Sequence, residues 1–308
     1  MVIKKRIINR VDITALEDSF TKSEQKCPAP EGPFREPKYV EYARNQKEWP
    51  GGITYFTDKL IHLVKEINSK IKIAILFEPP ELLPEIYNEV QQYEEDYDLI
   101  FTYAHELLDR RPEKYKFFPA DIAAIEDPSC KMHEKTKLVS MIYSDKVQLQ
   151  GHQLRHVIAE QFLPDIGYDK IDFYGTGTDK PLKNKSEGCN DYMFQIAVEN
   201  AYRKDYFADK ILDCFITGTI PIYWGCPNIA DYFDTRGILI FNTFDELKEI
   251  MESLSEEKYN SMLEYAKVNF DIAKEKYMNF DDYFFEKTVE YLGIEFVDTD
   301  EDTSNEKE

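Results

Sequence analysis

A chain of 308 residues, 43% hydrophobic and 14% aromatic, carries enough apolar side chain for packed cores. That excludes wholesale disorder and leaves room for two domains of ordinary size. Its 38 Lys and Arg stand against 59 Asp and Glu, a formal charge of −21, which argues against broad electrostatic binding to nucleic acid or anionic lipid but leaves room for a small local basic site.

The longest uncharged run of interest, Cys214 to Ala230, is 17 residues and is broken by Gly218, Pro221 and Gly225. A spanning helix needs about 20 apolar residues, so no membrane span is predicted. Lys4, Lys5 and Arg6 have no apolar stretch behind them, which predicts no signal peptide. Five cysteines without CxxC spacing (Cys27, Cys130, Cys189, Cys214, Cys226) fit reduced thiols better than a disulfide frame or a zinc site. The expected location is cytoplasmic.

In chain order, residues 21–52 hold five of the fifteen prolines and three of the twelve glycines and read as a long ordered loop. Leu60, Val64, Ile67 and Ile71 share one helical face. Strand-length apolar runs follow at 73–77, 97–103, 138–143 and 171–174, with a helical pattern over 154–162. Alternating strands and helices predict α/β layers with largely parallel sheets. The polar stretch 126–135 sets an expected boundary between an N-terminal domain, 1–135, and a C-terminal domain, 136–297, whose last helices are free to pack back on the first domain. Residues 298–308 are almost all acidic or polar and read as a disordered tail.

Residues 192–229 are the most informative. Met193–Val198 is a strand candidate ending in Glu199-Asn200. Asp205 is a candidate cap for a helix starting near Tyr206. Phe207, Ile211 and Phe215 form its buried stripe, and Gly218 is a natural stop. Ile220–Trp224 is the next strand, which Pro221 places at an edge or a strand start. Asp209 and Lys210 fall in the first turns of the helix, where backbone N–H groups favour an anion. A lysine there suits a diphosphate better than it suits the helix dipole, although spacing alone reads more plainly as a solvated helix face with ordinary charges.

Three pieces stand in order: Val198-Glu199-Asn200, then Tyr206-Phe207-Ala208-Asp209-Lys210-Ile211, then Thr219-Ile220-Pro221-Ile222-Tyr223-Trp224-Gly225-Cys226-Pro227. This set resembles the α1,3/4-fucosyltransferases, the bacterial members in particular. The resemblance is strong over 192–245 and thins toward 71–118. Asp209 stands where the family has Glu, and Val198 where it has Phe. The resemblance implies a GT-B-like α/β fold, with two Rossmann-like domains facing a central cleft and the nucleotide-sugar held mainly by the C-terminal one.

It also implies the chemistry of an inverting glycosyl transfer. The departing diphosphate needs fixed cations, for which Lys210 and Arg155 are the candidates, with Ser144 echoing a family Ser-Asn loop before the arginine. Asp209 is the expected acceptor for the ribose hydroxyls, and Tyr206 packs or hydrogen-bonds at the donor. Glu199 and Asn200, at a strand end, are candidates for sugar contact or for ordering the helix start. Glu78, just after an N-terminal strand, is the expected general base, with Glu81 and Glu106 as alternatives and a helix-capping role as its plain reading. His152 and His156, flanking Arg155, read as structural. Gly175-Thr176-Gly177 lacks the third glycine of a dinucleotide fingerprint.

The expected partners are a GDP-fucose donor and a glycan acceptor, with no nucleic acid. No obligatory metal is predicted, because the two cationic side chains can supply its electrostatic work. Two rival readings remain: a related inverting transferase using UDP-xylose or a UDP-hexose, and a non-catalytic glycan- or partner-binding protein.

Overall fold

The computed structural model describes residues 6–11, 39–44, 46–118, 123–125, 130–162, 171–278 and 280–294. The chain divides into two units, residues 1–118 with 279–308, and residues 119–278. The expected tail at 298–308, and residues 21–38 of the expected loop, lie outside the described residues.

In the first unit the strands are β1 (Arg6–Val11), β2 (Val40–Arg44), β3 (Glu48–Thr57), β4 (Asn68–Ile75), β5 (Leu99–Thr102) and β6 (Tyr115–Phe117). They form a sheet in the order β2-β1-β3-β4-β5-β6, and every pair is parallel. The expected loop over 21–52 is therefore corrected: residues 40–44 and 48–52 are strand. Their Pro-Gly-Gly sits where the β3–β4 register slips between Trp49 and Ile53, a bulge that needs no ladder donor from Pro50. The helical face expected to run to Ile71 stops early. Asp58–Lys65 is a 3₁₀ helix, and Ile71 already belongs to β4. Helix α1 (Pro84–Tyr93) and the one-turn α2 (His105–Leu108) follow the middle strands. One face of the sheet packs Phe56, Ala74 and Ile100 against Ile61, Val64, Ile86 and Val90. On the other, the C-terminal helix Phe280–Leu292 sets Phe284 against Phe77, Phe101 and Phe118, and Thr288 bonds to the Tyr55 hydroxyl.

The second unit contains β7 (Lys137–Ile142), α3 (Gln150–Gln161), β8 (Ile171–Tyr174), β9 (Tyr192–Val198), α4 (Asp209–Thr217), β10 (Ile220–Trp224), β11 (Leu239–Ile240), α5 (Phe244–Ser253) and α6 (Glu256–Lys276). Its strands are parallel, in the order β11-β10-β9-β7-β8. Strand β9 is buried along nearly its whole length, as a strand covered on both faces must be. Its core joins Phe194, Ile196 and Val198 to Ile158 of α3, to Phe162 just past that helix, and to Tyr259, Met262 and Ala266 of α6.

Of the two positions expected for Pro221, the strand start is the one that forms: it is the second residue of β10, which lies between β9 and β11 and is not an edge. The two-residue β11 pairs only with Ile222 and Tyr223, so on that side Pro221 has no ladder partner to fail. The division at 118/119 also differs from the expected boundary at 135. Residues 123–125 and 130–135 are tied to this unit. Ala124 and Ile125 donate backbone N–H to Asp213, and the half-buried Lys135 donates to Asn190 O, Thr217 O and Thr219 Oγ1 at 2.8–2.9 Å. Among the described residues no helix is long and apolar enough to cross a membrane.

Candidate functional site

In the second unit the strand order reverses between β7 and β9, because β8 lies on one side of β7 and the later strands on the other. Loops leaving the C-terminal ends of the two strands then part in opposite directions and open a crevice, the usual ligand site of a parallel sheet. A hollow of about 200 Å³ lies there, lined by Ile142, Tyr143 and Ser144 at the end of β7, by residues 195–198 of β9, by Gly175-Thr176, and by Arg155, Lys185, Asp209, Lys210 and Asp213. Arg155 and Lys210, 55 positions apart in sequence, thus share one hollow.

Arg155 is 6% exposed. Its Nε and Nη2 donate to Val198 O at 3.0 and 2.7 Å, and Nη2 also donates to Asn200 Oδ1 at 2.7 Å. Burial pulls the guanidinium below its ordinary value, but an arginine stays charged at neutral pH. These bonds fix the plane of the fork. Helix α3 can stand this close because Gly151 has no side chain: its N–H donates to Asn200 O at 3.1 Å, and a Cβ there would lie 1.7 Å from Glu199 O. His152, the expected structural histidine, is buried, and its Nδ1 accepts from Leu149 N–H at 3.2 Å in the first turn of α3.

Helix α4 begins at Asp209, not near Tyr206, and Asp205 does not cap it. Asp205 has φ +61°, and its carboxylate accepts from Tyr232 OH at 2.7 Å and from Asn228 Nδ2, so it is engaged on another loop. The helix start is instead bound by Glu199, whose Oε1 accepts from Ala208 N–H at 2.9 Å. Glu199 is fully buried. Its Oε2 has no hydrogen-bond partner and lies 3.7 Å from Lys210 Nζ. Burial raises its carboxyl above the ordinary range, with Lys210 acting against the rise. Gly218 ends α4 at φ +72°, as expected.

Lys210 Nζ donates to Asp209 Oδ1 at 2.8 Å. Burial pulls this lysine down, but Asp209 and Glu199 outweigh it and leave it above its ordinary value. The second Asp209 oxygen accepts from Lys185. Burial would raise Asp209, yet the two lysines hold it well below the usual carboxylate range. Asp213, one turn further on, is pushed up to about 7 by burial and by Asp209, against the pull of Lys185 and of the two N–H groups it accepts from. Gly218 closes a helix whose polar face therefore looks into the hollow.

Of the expected residues, Arg155, Lys210, Asp209 and Ser144 line the hollow. Asn200 holds Arg155, and Glu199 stands behind Lys210. Tyr206 is buried and does not line it. Glu78 belongs to the first unit, just past the end of β4. It caps no helix, since α1 starts at Pro84. Its backbone N–H and that of Phe77 donate to Asp58 Oδ1 at 3.3 and 2.9 Å, and Tyr87 OH donates to its carbonyl at 2.8 Å. Lys185 and Asp213 were missed. Asp213 was legible as part of the polar face of α4, whereas Lys185 sits in a loop without periodicity. Among the described residues no group of three His, Cys, Asp or Glu side chains is placed to hold a metal ion.

The arrangement resembles known proteins in fold and in sequence. A solved α1,3-fucosyltransferase is 15% identical, with a TM-score of 0.55 over 93% of this chain and 91% of that one. The α,α-trehalose 6-phosphate synthase of Burkholderia multivorans is 9% identical, with a TM-score of 0.58 over 94% and 99%. At such identities the likeness is one of fold, and it is the two-unit α/β GT-B class. The sequence is more particular. The α-(1,3)-fucosyltransferase FucT of Helicobacter pylori is 35% identical over 80 residues, which are 25% of this chain and 17% of that relative's length. Residues 132–289, just over half the chain, match the C-terminal model of glycosyltransferase family 10 (fucosyltransferase). The chain belongs to that family.

Proposed function

We propose that this protein transfers fucose from GDP-fucose to a sugar hydroxyl of a glycan, with inversion at the anomeric carbon. The observation that carries the reading is the convergence of Arg155 and Lys210 on one hollow at the β7/β9 switch point. A fixed guanidinium and a fixed ammonium in a partly buried site stabilise charge that develops on a leaving diphosphate, at no reorganisation cost during reaction. About 200 Å³ is less than the ~300–1,000 Å³ that encloses a whole drug-sized ligand. The hollow therefore suits the diphosphate, with nucleoside and sugar extending from it.

In the proposed step Glu78 takes the proton of the acceptor hydroxyl. The acceptor oxygen forms a bond to the anomeric carbon as the bond from that carbon to the phosphate oxygen breaks, and GDP leaves with the electron pair beside Arg155 and Lys210. Support for Glu78 is its place just past a strand's C-terminal end, with its backbone held by Asp58. The reading routes no step through a metal.

The test is turnover and donor binding in Arg155→Ala and Lys210→Ala. Each removes a cation from the developing diphosphate, and a loss of ~10²-fold or more in kcat is expected. Thermal-shift measurements with GDP, UDP, GDP-fucose and UDP-sugars accompany it. Survival of turnover within a few-fold in both folded variants refutes the phosphate assignment. Stabilisation by UDP but not GDP replaces the donor. Release of no nucleoside diphosphate with any acceptor favours a binding protein on the same scaffold.

A further inference from the structure

Lys185 lies before the ordered motifs of 192–227, on the connection between β8 and β9, and its side chain reaches the same hollow as Arg155 and Lys210. We propose that Lys185 is a third cation for the donor's diphosphate, and that Asp209 acts chiefly as the clamp that aims Lys185 and Lys210 together into the hollow. The inference rests on the donor reading above and deepens it.

Three observations carry it. First, the backbone beneath Lys185 is pinned. It opens a one-turn 3₁₀ helix, Lys185–Gly188, closed by Asn184 and Glu187: Asn184 Oδ1 accepts from Ser186 N–H at 3.1 Å and Glu187 Oε1 from Asn184 N–H at 3.2 Å. The far end of the turn is tied to the sheet floor, because Ser140 Oγ of β7 and Gln195 Nε2 of β9 both donate to Gly188 O, at 2.5 and 2.9 Å. A loop lysine anchored to two strands is placed, not wandering.

Second, Asp209 divides its two oxygens between the two lysines, Oδ1 to Lys210 and Oδ2 to Lys185. Lys185 is also 3.9 Å from Asp213 Oδ2. One carboxylate thus orients two ammonium groups. A side chain one methylene shorter than glutamate, with both oxygens so engaged, is poorly suited to reach out to a ribose and well suited to hold cations.

Third, the charges lining the hollow are three cations and two carboxylates in a chain whose total is −21. An anionic ligand is repelled by the protein at long range and is held only by local donors. Long-range repulsion between exposed charges is largely screened at physiological salt, whereas contacts inside the hollow are not.

The experiment is isothermal titration of wild type, Lys185→Met and Lys185→Arg with GDP and guanosine, with UDP and uridine run in parallel. Lys185→Met is expected to weaken the diphosphate by ~10-fold, the size of one charge-assisted contact, and the nucleoside by less than about two-fold. Lys185→Arg, which keeps the charge, is expected to recover most of the loss. Diphosphate binding by Lys185→Met within about two-fold of wild type overturns the inference and leaves the Arg155 and Lys210 assignment standing. Equal losses for diphosphate and nucleoside show Lys185 to be a structural neutraliser of Asp209 and Asp213 and overturn it too. A wild type that binds neither GDP nor UDP overturns the donor reading itself, and this inference with it.

Discussion

Replacing Gly151 by alanine tests whether the close approach of α3 to the end of β9 builds the site. The added Cβ would lie 1.7 Å from Glu199 O, 2.8 Å from Glu199 C and 3.0 Å from Asn200 C. All three are backbone atoms, so no side chain can swing aside. Ordinary contact needs about 3.5 Å, so the helix or the strand end must move by roughly 1.5–2 Å. Arg155 rides on the same helix one turn on, and its bonds to Val198 O and Asn200 Oδ1 at 2.7–3.0 Å do not survive such a shift. Overpacking costs about 1–3 kcal/mol. Loss of charged hydrogen bonds in a buried place adds about 2 kcal/mol. A total near 4 kcal/mol in a unit of this size lowers Tm by about 8–16 °C, and GDP binding falls with it. The assay is thermal unfolding by circular dichroism with and without GDP. A variant that melts within about 2 °C of wild type and binds GDP normally refutes the reasoning. Helix and strand would then have slack at this contact, and the guanidinium would not depend on it.

Two further predictions concern titrating carboxylates. Glu94 accepts from Arg110, Arg111 and Tyr115, which together outweigh its burial and hold its carboxyl down to about 2. A folded value below the unfolded one means its stabilisation is present above pH ~4.5 and lost as pH falls toward 2. Glu94→Ala is expected to cost about 2 kcal/mol in urea unfolding at pH 7, below the ~3–5 kcal/mol for a fully buried pair because the arginines reach solvent, and an unchanged midpoint contradicts this. Asp213 has the opposite sign: its folded value of about 7 lies above the unfolded one, so the native state gives up stability as pH rises from about 4 through 7. Asp213→Asn keeps an oxygen for Ala124 and Ile125 N–H and is expected to gain on wild type between pH 5 and pH 8. Parallel pH profiles for the two proteins count against it.

The segment 192–227 was readable in sequence because its strand, helix and strand follow one another without interruption. Periodicity marked β9, the buried stripe marked α4, and Gly218 marked its end. Within it, the error at Asp205 came from a side chain that bonds Asn228 and Tyr232 instead of the helix start, a partner more than twenty residues away. The role of Glu199 at the helix start was open because its bond to Ala208 N–H spans a nine-residue irregular loop that carries no periodicity. In the first unit the composition of 21–52 hid β2 and the start of β3, because a bulge lets Pro50-Gly51-Gly52 stand inside a strand, and composition does not reveal a bulge.

Sequence alone determined the alternation of strands and helices, the acidic balance, and the presence of an arginine and a lysine suited to a diphosphate. These follow from local periods and residue chemistry, which act over a few positions. The three-dimensional pairing decided which charges meet. With β7 seated between β8 and β9, the connections after all three strands deliver Arg155, Lys185 and Lys210 to one crevice. Strand order is chosen by burial of whole faces against distant partners, so no spacing along the chain records it.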